Sequence, residues 1–330
     1  MIRGLVIGKF LPVHKGHLAL ISFAASQCDE LIVSLSDADG DSIDAKLRLE
    51  WLSELCSQWS NVQVKSIKDD FDRPDLPLNE RTAIWATVIQ KAYGQFYKVF
   101  SSEEYGDWFA KNLGAIHVSF DQERRLFPIA ASKIRKQPLT YWEFIPELVR
   151  PFFVKKICIY GPESTGKSTL AKKLAEYYKT VSVPEVAREM ITSNDFTVDD
   201  IIRIGIAQTQ RVLDMSKVAN KFLFCDTDVI TTQIYSKHYL DVVPEILYEL
   251  EKKVVYDHYF FMDIDIPWVQ DGLRDLGDRR IEMREVFMGE LVKRGIQFTV
   301  VKGSFEERQR IVLATLEMSY SDAQRSGYPM

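Results

Sequence analysis

The chain has 330 residues, of which 46% are hydrophobic and 27% are charged, and its formal net charge is -5 at pH 7. This length exceeds what one hydrophobic core usually serves, so we expect two domains. The acidic balance argues against general nucleic-acid binding, and no apolar run approaches the roughly 20 residues of a membrane span. Because the first apolar run begins at Gly4 without a preceding leader, we expect a cytoplasmic protein with no nucleic-acid partner and no membrane insertion.

Short apolar runs alternate with segments of helical period along the chain, a pattern typical of parallel α/β architecture. The runs of a first series lie at residues 4–7, 31–35, 62–64, 99–100 and 116–118, and a second series restarts at 156–160. Prolines between the two series interrupt regular structure, so we place the boundary near Pro151. The expected fold class is α/β, with doubly wound parallel-sheet domains over residues 1–150 and 151–330.

A glycine-containing turn with two histidines follows the first predicted strand and precedes a predicted helix. This order points free backbone N–H groups and the positive end of the helix dipole at one spot, which suits phosphate. His14 and His17 are three residues apart, so at a helix start they share a face and can reach the same phosphate oxygens. The residues predicted to bind ATP here are Gly8, Lys9, Phe10, His14 and His17, with both histidines catalytic.

The pattern G-x-F-x-P-x-H-x-G-H at residues 8–17 resembles the signature of the HxGH nucleotidyltransferase superfamily. The resemblance implies a Rossmann-like domain that transfers a nucleotidyl group, with the two histidines steadying the transition state. It also implies a second phosphate-binding turn, matched here by Ser132 as a helix-capping ligand and by Arg135 three residues later as a catalytic and ATP-binding group. Ala130 stands where related sequences usually place a serine, so the efficiency of this site is left open.

Other positions in the first domain resemble family sites for one of the two substrates. Arg48 resembles the basic residue that the family places on the polyphosphate, and we assign it to the mononucleotide site; a solvated surface charge is the alternative. Trp85 lies in a segment that resembles the pyridine-nucleotide-binding stretch of nicotinamide mononucleotide (NMN) adenylyltransferases, where its ring could stack on the cationic nicotinamide; core packing is the alternative. Arg124 resembles a residue near the ATP phosphates, whereas His117 is expected to be structural.

Residues 161–168 match the eight-residue P-loop pattern in full and lie between a predicted strand and a predicted helix. The backbone N–H groups of such a loop cradle the phosphates of a nucleotide. Lys167 should bridge the β- and γ-phosphates, and Ser168 should hold Mg²⁺. The residues predicted to bind ATP in the second domain are Gly161, Glu163, Ser164, Thr165, Gly166, Lys167, Ser168 and Thr169.

Two carboxylates are expected beside the P-loop, at the carboxyl edge of the second sheet. Asp226 ends one apolar run, and Glu185 follows another, with Arg188 three residues later. A kinase needs one carboxylate to orient the acceptor hydroxyl and take its proton, besides any that hold the metal. Glu185 and Asp226 are the predicted catalytic pair, with Asp226 also a metal ligand. The sequence leaves open which does which, and whether Asp228 replaces either.

An Asp-, Gly- and Arg-rich segment over residues 268–280 is typical of a lid over transferring phosphate, and Arg274 is its predicted catalytic arginine. With the motifs at 142–146, 161–168 and 226–233, this segment resembles the bifunctional NadR-type family, which joins an NMN adenylyltransferase to a ribosylnicotinamide kinase. The resemblance implies that Trp268 and Asp271 lie near the riboside. The other residues assigned to the riboside are Glu185, Arg188, Asp226 and Asp228.

The resemblance implies two sequential reactions, both dependent on Mg²⁺. The second domain would phosphorylate nicotinamide riboside to NMN with ATP, and the first would join NMN to AMP from a second ATP, giving NAD and pyrophosphate.

Some family members carry an N-terminal helix-turn-helix; this chain begins at the first strand of the transferase domain, so we expect no operator binding. Two alternatives remain: a kinase with a decayed transferase site that senses NAD or ATP, and a fusion serving another pathway such as coenzyme A. The sequence leaves open whether the chain forms a homo-oligomer.

Overall fold

The computed structural model describes residues 1–270 and 274–325. The chain divides into a first unit, Met1–Arg150, and a second unit, Pro151–Met330. Each unit is built on its own sheet of five parallel strands, so the predicted fold class is confirmed. No helix in the described part of the chain is long and apolar enough to cross a membrane.

The first unit alternates strands with helices. Its strands are β1 (Arg3–Gly8), β2 (Glu30–Asp37), β3 (Val62–Lys68), β4 (Lys98–Ser101) and β5 (Ile116–Ser119). Its helices are α1 (Lys15–Ala25), α2 (Ala45–Cys56), α3 (Leu78–Tyr93), α4 (Tyr105–Leu113) and α5 (Ala131–Lys136). The strand order is β3-β2-β1-β4-β5. Because this order reverses between β1 and β4, a crevice is expected at the carboxyl ends of these two strands.

The burial of the first sheet follows from helices on both of its faces. Strand β2 buries all of its residues except the first and last, as a strand covered on both sides does, whereas no residue of the edge strand β3 is fully buried. The core of the unit packs apolar residues of β1, β2 and β4 against helices α3 and α4; it includes Leu5, Ile32, Val99, Ile89 and Phe109.

The second unit repeats the architecture around the P-loop strand. Its strands are β6 (Lys155–Tyr160), β7 (Ser182–Val183), β8 (Phe222–Asp226), β9 (His258–Met262) and β10 (Phe298–Val301), in the order β10-β9-β6-β8-β7. Its helices are α6 (Lys167–Tyr178), α7 (Ala187–Met190), α8 (Val198–Ser216), α9 (Val229–Leu240), α10 (Glu245–Lys253), α11 (Arg280–Lys293) and α12 (Phe305–Arg325). The central position of β6 brings the loop that follows it between the ends of β8 and β9.

Candidate active sites

A cavity lies at the carboxyl ends of β1 and β4 in the first unit, and we call it the histidine cavity. Its wall is formed by the turn after β1, the start of α1 and the segment that leads into α5. It brings together all the residues that the sequence assigns to ATP in this domain, namely Gly8, Lys9, Phe10, His14, His17, Arg124, Ser132 and Arg135. The turn and the helix start therefore meet the segment 120–132 at one place, as the predicted phosphate site requires.

His14 and His17 form a reciprocal cap at the start of α1. His14 is the N-cap, and its Nδ1 accepts a hydrogen bond from the backbone N–H of His17 at 3.3 Å. The backbone N–H of His14 donates to Nδ1 of His17, also at 3.3 Å. The two rings stack with their centroids 3.6 Å apart. Because both Nδ1 atoms accept, a neutral imidazole at either position carries its proton on Nε2, where it can donate to a phosphate oxygen.

The surroundings of the two histidines keep both rings neutral. Burial, aided by the charge of Arg124, lowers the pKa of His14 to about 4. Burial, then His14 and Arg124, lowers the pKa of His17 well below its ordinary value. Protonating either ring would place a second cation in a buried site. At neutral pH the pair therefore offers two N–H donors without adding net charge.

The two arginines of the cavity are tied to its backbone. The Arg135 guanidinium donates to the carbonyl of Leu11, in the turn between the strand and the histidines. Arg124 donates to the carbonyl of Ile129 at 2.7 Å and to Glu103 Oε1 at 2.7 Å. These bonds hold two cations at a cavity that also presents the histidine donors, an arrangement that suits a polyphosphate.

The prediction that Ser132 caps a helix is wrong. The N-cap of α5 is Ala130, which has extended backbone angles and no side chain that could accept the bond, so the helix starts without a side-chain cap. Ser132 lies within the first turn and lines the cavity with its neighbours. The departure from the family pattern at Ala130 is thus also the loss of a helix cap.

Arg48 has protein partners in place of the mononucleotide to which the sequence assigns it. Its side chain is completely buried and lines none of the cavities described here. The guanidinium donates to the carbonyl of Lys9 at 2.6 Å and to Asp41 Oδ2 at 2.9 Å. Arg48 therefore fixes the backbone of the turn that carries the predicted phosphate site.

This structural role predicts a stability effect. We expect Arg48→Met to lower the free energy of unfolding by about 3 kcal/mol. The change leaves the Lys9 carbonyl without its donor and leaves Asp41 with the half-exposed Lys9 ammonium as its countercharge. Denaturant titration should detect the loss. Lys46→Met, an exposed change on the same helix, is the control. A variant with unchanged stability and a raised KM for the mononucleotide alone would restore the original assignment.

A second cavity adjoins the first around Gly8, Lys9 and Tyr105, and we call it the tryptophan cavity. Its walls also include Trp85, Phe71, Arg81, Asp69 and Asp72. The Trp85 indole donates to Asp72 Oδ1 at 3.0 Å, and its ring centroid lies 5.4 Å from that of Tyr105. Trp85 is half-buried: it packs against Tyr105 and also lines the cavity. Stacking of its ring on nicotinamide stays a prediction.

A hydrogen-bonded chain behind the histidine cavity was not predicted. Ser101 Oγ lies 3.0 Å from His117 Nε2, and His117 Nδ1 lies 2.6 Å from Asp107 Oδ1. Ser101 ends β4 and lines the cavity. A side-chain carbon at Gly106 would come within 2.3 Å of Ser101 Oγ, so glycine is required there for this packing. His117, expected to be only structural, thus orients a hydroxyl of the cavity wall.

The P-loop of the second unit has the backbone that its glycines permit. Gly161 has φ 140° and Gly166 has φ 82°, values that favour glycine. A side-chain carbon at Gly161 would lie 2.8 Å from the carbonyl oxygen of Met262. Lys167 begins α6, is buried, and donates from Nζ to the carbonyl of Pro162 at 2.8 Å. The lysine ammonium is therefore held inside the loop that is predicted to cradle phosphate.

The P-loop cavity, which lies beside this loop, collects the predicted acceptor-site groups. Glu185, Arg188, Arg274 and Lys167 all line it. Glu185 Oε2 accepts from Arg188 Nε at 2.9 Å. Apolar and hydroxyl side chains complete the wall, among them Ile201, Phe196, Tyr235, Tyr239 and Thr231. Glu163 also lines the cavity, which therefore offers two carboxylates and three cations beside a surface that could hold an organic ring.

Asp226 lies at the end of β8, and its charge interacts with that of Lys167. Its side chain is hydrogen-bonded to Ser168 and is buried, and Oδ1 has no hydrogen-bond partner in the described part of the chain. Burial raises the pKa of Asp226 to about 6, with Lys167 opposing the shift. An unsatisfied, buried carboxylate oxygen beside a hydroxyl fits a hard divalent cation, which prefers oxygen ligands.

Asp228, which the sequence assigns to the riboside, is not part of this group. Its Oδ1 caps α9 by accepting from the backbone N–H of Thr231 at 3.0 Å, and its Oδ2 accepts from the Tyr259 hydroxyl at 2.9 Å. It is buried and does not line the P-loop cavity. Asp228 is a structural cap, which leaves Glu185 and Asp226 as the candidate pair.

The lid segment contacts the P-loop directly. The Trp268 indole donates to Glu163 Oε1 at 3.2 Å, and the backbone N–H of Val269 donates to Ser164 Oγ at 2.8 Å. Trp268 does not line the P-loop cavity, whereas Arg274 does. Asp271, the other lid residue assigned to the riboside, lies outside the described residues. Glu163 and Ser164 thus join the lid to the loop, a role that the sequence did not predict.

Comparison with known proteins supports both halves of this description. A cytidylyltransferase-like family model matches residues 5–137, and an AAA domain model matches residues 156–308. The trifunctional NAD biosynthesis/regulator protein NadR of Salmonella typhimurium is 32% identical over 324 residues, covering 91% of this chain and 78% of the relative. The chain belongs to the NadR family. The resemblance that the motifs predict is thereby confirmed.

Two further likenesses fit this NadR-family membership. The nicotinamide-nucleotide adenylyltransferase of Pyrococcus abyssi is 30% identical over 198 residues, covering 58% of this chain and 91% of the relative. A crystal structure of NadR protein in complex with NAD and AMP-PNP has a TM-score of 0.77 and 23% identity, covering 97% of this chain and 96% of that chain. At this identity the structural match shows the shared fold.

Proposed function

We propose that this NadR-family chain is a bifunctional NAD salvage enzyme. Its second unit phosphorylates nicotinamide riboside to NMN with ATP, and its first unit adenylylates NMN to NAD with release of pyrophosphate. The observation that carries the proposal is the presence of two separate phosphate-binding constellations, the histidine cavity and the P-loop, in one chain of this family. ATP is a substrate of both reactions, and the proposed site residues are those described above.

In the kinase reaction, Ser168 and Asp226 are the proposed Mg²⁺ ligands. The described residues contain no group of three or more His, Cys, Asp or Glu side chains that could hold a metal, which fits a cation bound largely by nucleotide phosphate and water. When bound, Mg²⁺ neutralises charge on the β- and γ-phosphates. Lys167 adds a cation at the same phosphates.

Glu185 is the proposed general base of the kinase. It lies in the P-loop cavity, whereas Asp226 does not line that cavity and is hydrogen-bonded to Ser168. Glu163, the other carboxylate of the cavity, accepts from the Trp268 indole and the Leu276 N–H. This division leaves Glu185 for the acceptor hydroxyl and Asp226 for the metal. Arg188 orients Glu185 through their 2.9 Å hydrogen bond, and Arg274 stabilises negative charge at the transferred phosphate.

The division predicts different kinetic defects in two isosteric variants. We expect Glu185→Gln to lower kcat of the kinase by roughly 10²-fold or more without changing the Mg²⁺ concentration for half-maximal rate. Asp226→Asn should raise that Mg²⁺ concentration at least about tenfold, because a charged metal ligand is lost. Initial rates over a Mg²⁺ series distinguish them, and the opposite pattern would exchange the two roles.

In the adenylyltransferase reaction, the two cavities of the first unit hold the two substrates. The histidine cavity takes ATP, and the tryptophan cavity takes NMN with its pyridinium ring against Trp85. The cavities share Gly8 and Lys9, so the phosphate of NMN can meet the α-phosphate of ATP there. His14 and His17 donate from Nε2 to the phosphate oxygens, and Arg124 and Arg135 offset the charge that builds up during attack.

The proposal is tested by incubating the chain with MgATP and nicotinamide riboside and following NMN and NAD separately. Successive appearance of NMN and NAD is the expected result. Accumulation of NMN without NAD, together with ATP binding at the first unit, would favour a nucleotide sensor with a decayed transferase site, the alternative that Ala130 motivates. Turnover of phosphopantetheine and dephospho-coenzyme A in place of the pyridine substrates would replace the proposed pathway.

A further inference from the structure

The charged groups of the tryptophan cavity are balanced, with one exception. Arg81 donates to both carboxylate oxygens of Asp72, at 3.0 and 2.8 Å, so these two residues neutralise each other. The Lys9 ammonium lies 3.5 Å from Asp41, which does not line the cavity. The remaining charged residue of the wall is Asp69.

Asp69 is held in place but incompletely hydrogen-bonded. It follows β3, and its backbone N–H donates to the carbonyl of Asp37 at 2.7 Å. Its carboxylate accepts a hydrogen bond from the backbone N–H of Asp72. The Oδ1 atom is buried and has no hydrogen-bond partner within residues 1–270 and 274–325. A buried acceptor without a donor is unfavourable, and a ligand that supplies an N–H would satisfy it.

We propose that Asp69 Oδ1 accepts a hydrogen bond from the carboxamide nitrogen of the bound pyridine mononucleotide and so selects the amide over the corresponding acid. The inference rests on the proposed adenylyltransferase function and names a specificity determinant for it. A carboxamide has an N–H₂ group to donate, whereas an ionised pyridine carboxylate has no donor and carries the same charge as Asp69. A site with a buried acceptor strongly disfavours a ligand that leaves the acceptor unpaired.

The electrostatics of the cavity agree with this role. Burial and the neighbouring Asp72 and Asp41 carboxylates raise the pKa of Asp69, with Lys9 opposing the shift. The Asp69 carboxylate is therefore short of compensating positive charge. A ligand with a pyridinium ring and a neutral amide supplies both a cation and a donor. A pyridine mononucleotide that bears a carboxylate would add a further negative charge at the same place.

The test compares kcat/KM for NMN and for nicotinate mononucleotide in the full chain and three variants. Asp69→Asn keeps the shape and removes the charge. Since the Asp72 N–H retains the amide oxygen, the new N–H₂ faces the ligand, and activity with the acid should rise. Asp69→Ala should instead lose activity with the amide. In both variants we expect the amide-to-acid ratio to fall at least about tenfold, with KM for ATP within about twofold of wild type.

Asp70→Asn is the matched control, because Asp70 is the exposed next residue and should leave the ratio unchanged. If one Asp69 variant fails to fold, the other gives the same readout. A wild-type preference for the amide that persists in a folded Asp69 variant would overturn the inference while leaving the proposed function intact. A wild-type chain that adenylylates neither mononucleotide would overturn both.

Discussion

Lys167→Ala should abolish phosphorylation of nicotinamide riboside while leaving the adenylylation of NMN unchanged. Lys167 is buried in the P-loop, and burial lowers its pKa, whereas the charges of the Glu185 and Asp226 carboxylates oppose that shift. Removing it deletes the cation that offsets phosphate charge in the transition state. It also leaves the two carboxylates to repel the incoming nucleotide. We expect kcat/KM of the kinase to fall on the order of 10³-fold.

Separate assays of the two reactions make this expectation specific. Lys172→Ala is the control, because Lys172 is exposed on the same helix, five residues after Lys167. It should leave both rates within about twofold of wild type, as surface substitutions usually do. If Lys167→Ala retained kinase activity, the P-loop would not be the phosphate site. If it stopped NAD formation from supplied NMN, the two reactions would not have separate sites.

Contiguous motifs were the part of the protein that the sequence predicted well. A P-loop depends on glycines and a lysine at fixed spacing within eight residues, and the backbone angles of Gly161 and Gly166 follow from that local pattern. The strand-turn-helix around His14 and His17 is equally local. Parallel sheets also follow from the alternation of apolar runs and helical segments, because buried strands read as continuous apolar stretches.

Arg48 and Asp228 have partners that the sequence did not predict. Arg48 has the residue type and position of a phosphate ligand, yet a loop brings Asp41 to it and the turn after β1 brings Lys9. Asp228 follows a strand, as a functional carboxylate would, but it also stands where α9 needs an N-cap. A capping carboxylate and a catalytic one have the same local pattern, and only the surrounding contacts distinguish them.

Groups assembled from distant segments could not be predicted. One hydrogen-bonded chain joins Asp107 on α4, Ser101 at the end of β4 and His117 within β5, and it forms only after these two strands have paired. Asp69 likewise stands out as the unbalanced charge of the tryptophan cavity only because Arg81 neutralises Asp72 and because its Oδ1 atom is buried without a donor. Neither arrangement has a fixed spacing that a motif could capture, because each depends on tertiary packing.

The two units place donors at phosphate in different ways. In the second unit a buried lysine supplies full positive charge, with two carboxylates nearby. In the first unit two neutral imidazoles supply N–H groups, while the positive charge comes from Arg124 and Arg135 at the cavity wall. Neutral donors fit a reaction that brings two anionic substrates together and then releases pyrophosphate, because they bind the departing product less tightly than further cations would.

His14→Asn and His17→Ala should each lower NAD formation from NMN by on the order of 10²–10³-fold, because each removes an Nε2–H donor from the developing charge. The His14→Asn variant distinguishes a loss of catalysis from a loss of stability. The asparagine side-chain oxygen can still accept from the backbone N–H of His17, so the cap of α1 is retained. His14→Ala should lose the same activity and also about 1 kcal/mol of stability. Kinase activity should be unchanged in all three variants.

The proposed protonation state can be measured directly by nuclear magnetic resonance of ¹⁵N-labelled histidine. Both rings should show the neutral Nε2–H form at pH 7, and His14 should titrate near its pKa of about 4. The lowered pKa values of the two histidines also predict how the stability of the fold changes with pH. An unfolded chain takes up these protons near pH 6.5, whereas the folded chain does so only at lower pH, so stability is lost as pH falls below 6.5. A cationic His14 at pH 7, or a His14→Asn variant with normal NAD synthesis, would contradict neutral donation as the basis of catalysis.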